Sequence, residues 1–268
     1  MNKERASDRE PVSGEELPVE GRVVEQRDAV VFRYGEVYRS PEWKKLDEID
    51  RAQLLLVLEG VKPGTVIDGD YTNFKKVIEQ TGLATHRNTD PYSLRPVYEV
   101  STPKRLAEYY RDVVAAPTKL PRGEFHRING RFLGYPPCCT EEYIRPEKNL
   151  EARNRVSPSR FLSNVDYEAK QMIDRGEGYP AELDYCPPSF TPCSATCENA
   201  IPLLRQWKRV LEAADPEAAR GMCLFNWSGE PYRSVHREEL SHVADERIAR
   251  WRERFLRKSV GVEEGGDS

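Results

Sequence analysis

The sequence lacks the patterns that identify several common classes of protein. No apolar run in its 268 residues approaches the roughly 20 residues that span a bilayer, so we expect no membrane helix. Residues 1–10 are charged and contain no hydrophobic signal segment, which favours a cytoplasmic protein. The loops G-x-G-x-x-G and G-x-x-x-x-G-K and the elbow G-x-S-x-G are also absent, which removes common nucleotide-binding and serine-hydrolase signatures.

Histidine is scarce, and the charge is nearly balanced. Of the four histidines, His236 and His242 are six residues apart and do not share a helix face, so they form no metal pair. His126 lies twelve residues before Cys138 and is a candidate ligand or base, although a lone histidine is more often an ordinary surface residue. A net charge of −4 points to no particular partner.

Hydrophobic periodicity predicts an α+β fold with a small mixed sheet and helices in the N-terminal half, and a mostly helical, cysteine-bearing C-terminal half. Strands are expected at 65–68, 94–100 and 222–227, with one or two more within 22–32. Pro96 places the strand 94–100 at a sheet edge, because proline cannot donate to a ladder. Predicted helices cover 47–59, 72–81, 103–114, 140–145, 161–175, 199–214 and 235–258.

Composition divides the chain into five parts. We expect a disordered tail at 1–20, an N-terminal α/β subdomain at 21–130 and a cysteine-cluster subdomain at 131–233. A basic helix at 234–258 and a disordered acidic tail at 259–268 would follow. Residues 117–131 are interpreted as a basic connector.

Five of the six cysteines lie in two proline-flanked clusters. The first is Gly134-Tyr135-Pro136-Pro137-Cys138-Cys139, and the second runs from Cys186 to Cys197 and contains Cys193. Cys139 and Cys193 are predicted to precede helix starts, where backbone N–H groups favour a thiolate. Cys223, among apolar neighbours, should be inert.

Two such clusters facing each other predict a shared thiol site. Cys138, Cys139, Cys193 and Cys197 would bind zinc or an iron–sulfur cluster, or cycle between dithiol and disulfide. Tyr135 and His126 are candidate neighbours that contact a bound cofactor. The alternative is that the cysteines are small buried residues with a purely structural role. Their grouping in two proline-flanked clusters favours a functional interpretation.

These segments carry a family resemblance. Arg131-Phe132-Leu133-Gly134-Tyr135-Pro136-Pro137-Cys138-Cys139 and Thr191-Pro192-Cys193-Ser194-Ala195-Thr196-Cys197 resemble an uncharacterised, mainly archaeal family, domain of unknown function four hundred eighty-three. The segment Leu54-Leu55-Leu56-Val57-Leu58-Glu59-Gly60-Val61-Lys62-Pro63 is also similar, so the likeness covers roughly Ala52 to Leu204. The resemblance implies a cytosolic archaeal protein and supplies no activity, substrate or catalytic residue. Cys186 and Cys223 match no motif of that family.

The basic end of the last predicted helix offers a second class of function. A non-catalytic RNA- or protein-binding module would use this surface and leave the cysteines structural. A solvated helix face with cations near its C-terminus explains the same charges, and we favour that explanation. The cations are Arg247, Arg250, Arg252, Arg254, Arg257 and Lys258. Whether the protein is an enzyme stays open.

Overall fold

The described part of the chain contains eleven α-helices and a small three-stranded sheet, which confirms the α+β prediction. The structure, a computed structural model, describes residues 32–67, 71–89, 96–114, 121–145, 164–229, 231–243, 246, 247 and 249. The first half contains α1 (Gly35–Arg39), α2 (Pro41–Lys44), α3 (Glu48–Leu58), β1 (Gly64–Ile67), α4 (Tyr71–Thr81), β2 (Ala84–Thr89), β3 (Pro96–Ser101) and α5 (Pro103–Val114). The second contains α6 (Arg122–Leu133), α7 (Pro137–Ile144), α8 (Asn164–Asp174), α9 (Ala200–Ala214), α10 (Pro216–Trp227) and α11 (Arg237–Ser241), with 3₁₀ turns at Ala181–Tyr185 and Tyr232–Ser234.

The sheet is antiparallel, with the order β1-β3-β2. The strand that contains Pro96 is therefore central, and the predicted edge position is wrong. Pro96 is the first residue of β3, a position where a missing N–H costs no interior ladder bond. Strand β2, the partner of β3 on one side, was not predicted, because its sequence Ala-Thr-His-Arg-Asn-Thr has almost no hydrophobic alternation.

Helix α3 lies at the centre of the larger core. The carboxylate of Asp47 caps it by accepting a hydrogen bond from the N–H of Ile49 at 2.9 Å. Its apolar residues, including Leu54, Leu55 and Leu56, are fully buried. They pack with α9, α10 and parts of α4, so this core draws on both sides of residue 130. A smaller cluster lies between α5 and α6 and consists of Leu106, Tyr109, Ile128, Phe132 and Leu133.

A buried polar link also joins the two halves of the chain. Asp215 caps α10 by accepting from the N–H of Ala218 at 3.1 Å. Its other carboxylate oxygen accepts from Trp43 Nε1 at 2.7 Å and from Arg51 Nη1 at 3.1 Å. The side chains of Trp43, Arg51 and Asp215 are all buried. Because both carboxylate oxygens of Asp215 accept hydrogen bonds and Arg51 neutralises the charge, the burial of this carboxylate is tolerable.

Three further predictions differ from the structure. Residues 222–227 are part of helix α10 and not a strand, because Asp215 and Pro216 supply a cap and a first-turn proline that start a helix there. Most of the predicted connector 117–131 belongs to helix α6, so the division expected at residue 130 falls inside a helix.

The basic helix predicted from 234 to 258 is interrupted. Within the described residues, helix α11 ends at Ser241 and a turn follows at His242. The tails 1–20 and 259–268 and the strands within 22–31 lie outside the described residues. Among the residues that are described, no helix combines the length and the apolarity that a membrane crossing requires.

Candidate metal centre

The first cysteine pair is positioned by a tight turn after α6. Gly134 ends that helix in the left-handed conformation, with φ 75°. The N–H of Tyr135 then donates to the carbonyl of Gly130 at 2.8 Å. A Cβ atom on Gly134 would lie 2.4 Å from Pro63 Cδ, so both backbone conformation and space require glycine here.

The two prolines after this turn start the next helix. Pro136 precedes α7 in an extended conformation, and Pro137 occupies its first position, where the missing N–H costs nothing. Cys138 and Cys139 therefore lie inside the first turn of α7, whereas the sequence predicted a helix starting at Thr140. The N–H of Cys139 donates to the carbonyl of Pro136 at 3.0 Å.

The second pair lies in the turn that leads into α9, as predicted. The carbonyl of Cys197 accepts from the N–H of Ala200 at 3.1 Å, which closes the turn onto the helix start. Between Cys193 and Cys197, the N–H of Ala195 donates to Glu168 Oε2 at 2.8 Å. Helix α8 thus holds this turn in place through one charged hydrogen bond.

The four sulfur atoms converge, as the sequence predicted. Those of Cys138, Cys139, Cys193 and Cys197 all lie within 4.8 Å of one another. The Cys138–Cys139 separation is 3.9 Å, Cys138–Cys197 is 3.7 Å and Cys139–Cys197 is 3.8 Å. All six cysteines are free thiols. Within the described residues these four form the group of nitrogen, oxygen and sulfur ligands able to hold an ion.

Burial and hydrogen bonding differ among the four thiols. Cys139 and Cys197 are buried, and Cys138 and Cys193 are half-buried. The side-chain amide of Asn199 donates to Cys138 Sγ at 3.4 Å. Donors of this kind orient metal ligands and spread the charge of thiolates.

The hydrogen-bond donors of the site favour a thiolate at Cys197, whereas the sequence predicted Cys193 and Cys139. Burial opposes ionisation of Cys197, but the N–H of Ala200, the thiol of Cys193 and the N–H of Asn199 hold its pKa below the ordinary value. Burial, with the neighbouring Cys197 thiol, raises the pKa of Cys193 to about 11. Burial also raises the pKa of Cys139. Cys193 precedes Cys197 by four residues in sequence, and the N–H groups of Asn199 and Ala200 at the start of α9 donate to Cys197 instead.

Tyr135 lies beside the site in an aromatic contact between the two cysteine segments. Its ring stacks on Phe190 with centroids 4.6 Å apart, and its hydroxyl is 2.6 Å from Ser189 Oγ. Lys62 Nζ is 5.5 Å from the centre of the same ring. The expected role of Tyr135 in cofactor contact stays a prediction.

His126 lies on α6, outside the four-sulfur group. Its ring contacts that of Tyr143 edge-on, with centroids 5.0 Å apart, and that of Phe125 at 5.7 Å. Its role as a ligand or base stays a prediction.

The remaining cysteines lie elsewhere. Cys186 follows the 3₁₀ turn 181–185, and Cys223 is inside α10. Burial raises the pKa of Cys223 to about 12, in agreement with its predicted inertness.

The predicted basic surface is described only in part. Arg247 forms an ion pair with Glu48 at 2.7 Å, so this cation already has an acidic partner. The others, Arg250, Arg252, Arg254, Arg257 and Lys258, lie outside the described residues.

Comparison with known proteins adds no relative: no family model, curated protein or solved structure matches the chain.

Sequence reasoning missed the residues that surround the sulfurs. Glu168 comes from a helix 25 residues before Cys193 and carries no local signal. Asn199 donates to Cys138, which is 61 residues away in sequence, so no local signal could have identified this contact. The resulting arrangement brings four thiols to one point, supplies N–H donors and restricts water, which suits a thiophilic metal ion.

Proposed function

We propose that the protein binds one zinc ion through Cys138, Cys139, Cys193 and Cys197. The observation that carries this proposal is the spacing of the sulfur atoms. Four sulfurs held about 2.3 Å from one zinc ion lie about 3.8 Å from one another in a regular tetrahedron. The three separations quoted above are 3.7, 3.8 and 3.9 Å.

A single ion fits this spacing better than an iron–sulfur cluster. In a four-iron cluster each thiolate binds a different iron, so the inorganic core keeps the cysteine sulfurs well apart. Four sulfurs within 4.8 Å leave room for one ion at their centre. A tetrahedral site of four sulfurs takes zinc or iron, and zinc needs no redox partner.

The ligand set supports a structural role for the ion. Catalytic zinc keeps one position for water or substrate, whereas four cysteines close the coordination shell. The site joins the start of α7 to the turn before α9, two segments more than 50 residues apart in sequence. The ion would therefore act as a cross-link between these segments, and its binding free energy would stabilise the fold.

We extend the proposal to a reducing compartment, the cytoplasm. Thiols remain available as ligands where glutathione and thioredoxin keep them reduced. The resemblance to the uncharacterised archaeal family rests on the same cysteine segments and is retained as part of this proposal.

Metal analysis of protein purified without oxygen tests the proposal. We expect one zinc per chain, and cobalt substitution should give the visible absorption of a tetrahedral thiolate site. Several irons per chain together with inorganic sulfide would contradict the single-ion site.

Two serine variants make the analysis specific. Cys139→Ser removes a buried ligand and should reduce bound metal to a small fraction of one equivalent. Cys186→Ser, at another buried thiol, should keep one metal per chain. Equal metal content in the two variants would show that Cys139 is not a metal ligand.

A further inference from the structure

Three of the four clustered sulfurs form a triangle with nearly equal sides. The Sγ atoms of Cys138, Cys139 and Cys197 are separated by 3.9, 3.7 and 3.8 Å. The sulfur of Cys193 lies within 4.8 Å of each of them. Zinc uses all four sulfurs, but a soft atom that binds three thiols in a pyramid needs only the triangle. Trivalent arsenic is such an atom, because its fourth position is occupied by a lone pair.

Two hydrogen-bonded turns hold the triangle together. Cys138 and Cys139 share the first turn of α7, and the N–H of Cys139 donates to the carbonyl of Pro136 at 3.0 Å. The carbonyl of Cys197 accepts from the N–H groups of Ala200 and Ile201 at 3.1 and 3.0 Å, which fixes this residue at the start of α9. The three sulfurs are therefore brought together by the fold before any ligand binds.

The surroundings of the triangle suit an uncharged complex. Four thiolates on one zinc ion leave a net charge of −2, whereas three thiolates on trivalent arsenic leave none. Cys139 is 2 % exposed and Cys197 is 6 % exposed, and buried charge is costly unless it is compensated. In the described part of the chain, the groups that act most strongly on the Cys139 thiol are the N–H of Cys193 and the other three thiols, and none of them is a cation.

The half-buried sulfur of Cys138 gives access to the triangle. Arsenous acid is small and uncharged, and its first bond to sulfur can form at this atom. The sulfurs of Cys139 and Cys197 are both within 3.9 Å of Cys138 Sγ, so the second and third bonds form at the same point. Binding therefore needs no separate cavity in the core.

We propose that the cysteine site also binds trivalent arsenic, supplied as arsenous acid, through Cys138, Cys139 and Cys197, and that arsenic displaces zinc. In each of three steps an S–H and an As–O bond break, an S–As bond forms and one water leaves, without oxidation or reduction. From the zinc-loaded protein, Zn²⁺ departs and the solvent supplies four protons, of which three leave in the waters and one stays on Cys193. The displacement rests on the proposed zinc site, whereas direct binding to metal-free protein does not.

Titration with sodium arsenite tests both claims. Zinc-loaded and metal-free protein are treated at pH 7 without oxygen, with a phosphine as reductant because thiol reductants would bind arsenic. After gel filtration, elemental analysis gives arsenic and zinc per chain. We expect one arsenic per chain in both samples and the loss of one zinc from the loaded protein.

Serine variants separate the two ligand sets. Cys193→Ser should bind arsenite as the natural protein does, but should bind zinc about 100-fold more weakly, because even an outer-shell change costs 10–100-fold. Cys139→Ser should lose both, since it removes a sulfur that both ligands use. Cys186→Ser, at a buried thiol outside the cluster, should keep both.

Asn199→Ala tests the argument from charge without removing a sulfur. The side-chain amide of Asn199 donates to Cys138 Sγ at 3.4 Å, and such a donor stabilises a charged complex more than a neutral one. We expect zinc binding about tenfold weaker and arsenite binding unchanged. The arsenite concentration that displaces half of the zinc should therefore fall about tenfold.

The outcomes distinguish this inference from the proposed function. If one zinc binds per chain and arsenite neither binds nor displaces it, the inference is overturned and the zinc site stands. If arsenite binds but zinc does not, the proposed function and the displacement fail, and the arsenic site stands. If Cys193→Ser loses arsenite as fully as Cys139→Ser, the assignment to three sulfurs is wrong. Equal loss of zinc and arsenite affinity in Asn199→Ala would contradict the argument from charge.

Discussion

The four clustered cysteines and the two isolated ones, Cys186 and Cys223, are all wholly or partly shielded from solvent, but their neighbours differ. Each clustered sulfur has other sulfurs within 4.8 Å. Cys223 lies near Tyr185 and Asp184, and burial is the largest cause that raises its pKa. Burial likewise raises the pKa of Cys186, with Asp166 and Asp184 adding to the effect.

This difference shows that the surroundings of a cysteine determine its chemistry. Other thiols and backbone N–H groups stabilise a thiolate at Cys197. Carboxylates and apolar side chains keep Cys186 and Cys223 as neutral thiols. Metal binding and thiol reactivity should therefore separate the two groups in every experiment below.

The largest expected difference is the response of stability to metal. Zinc at a free concentration 100-fold above its dissociation constant adds about 2.7 kcal/mol to the free energy of unfolding, which raises Tm by about 5–10 °C. Cys197→Ser should abolish this response in calorimetry with and without chelator. Cys223→Ser should lower stability by about 1–3 kcal/mol, because it buries a hydroxyl, and should keep the full response to zinc. If Cys223→Ser also lost the response to zinc, the clustered and the isolated cysteines would not differ in metal binding.

Thiol alkylation should give the next largest difference. Cys197 and Cys223 are buried to the same degree, 6 % and 5 % exposed, so access does not separate them. At neutral pH a thiol with pKa 9 has about 1,000 times more thiolate than one with pKa 12, and the lower nucleophilicity of the less basic thiolate reduces the rate ratio to about 30. Since the pKa of Cys197 is below 9.0 and that of Cys223 is about 12, metal-free protein should alkylate at Cys197 at least about 30-fold faster.

The pH and metal dependence sharpen this test. Labelling of Cys197 should rise with pH and level off above its pKa, whereas labelling of Cys223 should still be rising at pH 10. Zinc should slow labelling of Cys197 and leave Cys223 unchanged. Mass spectrometry of peptides resolves the two sites, and equal rates at both would show that their surroundings do not matter.

Two glycine substitutions test whether the turn at Gly134, which positions the first cysteine pair, is needed for zinc binding. Gly134→Ala places a Cβ atom 2.4 Å from Pro63 at φ 75°, whereas Gly60→Ala has the same strain, at φ 71°, with nothing within 4 Å. The strain costs about 1–2 kcal/mol in each, and the clash adds about 1–3 kcal/mol in Gly134→Ala. Denaturant unfolding gives the stability, and metal titration should show weaker zinc binding in Gly134→Ala alone. Weaker binding in Gly60→Ala would assign the effect to general destabilisation.

The sequence was sufficient to predict those parts of the site and fold that depend on local chemistry. Helix α3 follows from the Asp47 cap and its apolar run, and the meeting of the cysteine clusters follows from two proline-flanked segments at helix starts. The low pKa was assigned to Cys193, because the sequence does not reveal which sulfur the N–H groups of Asn199 and Ala200 reach.

Other features depend on contacts between distant segments. Pro96 indicated an edge strand, yet β2 pairs on its other side, and nothing in the polar sequence of β2 predicts that pairing. The enclosure of Lys62 requires Tyr135 and Trp207, which are 73 and 145 residues away in sequence. Such contacts are fixed by tertiary packing, which outweighs local propensity.

The smallest expected effect comes from two asparagines, one beside each group of cysteines. Asn199 donates to Cys138 Sγ at 3.4 Å, and Asn226 donates to the carbonyls of Asp184 at 2.7 Å and Cys186 at 3.0 Å. Asn199→Ala should weaken zinc binding about tenfold, the lower end of outer-shell effects, with little change in stability. Asn226→Ala leaves buried carbonyls unsatisfied and should cost about 1–3 kcal/mol without changing zinc affinity. Competition titration with a chelator and urea unfolding measure the two quantities separately, and a loss of zinc affinity in Asn226→Ala would show that the two cysteine environments are coupled.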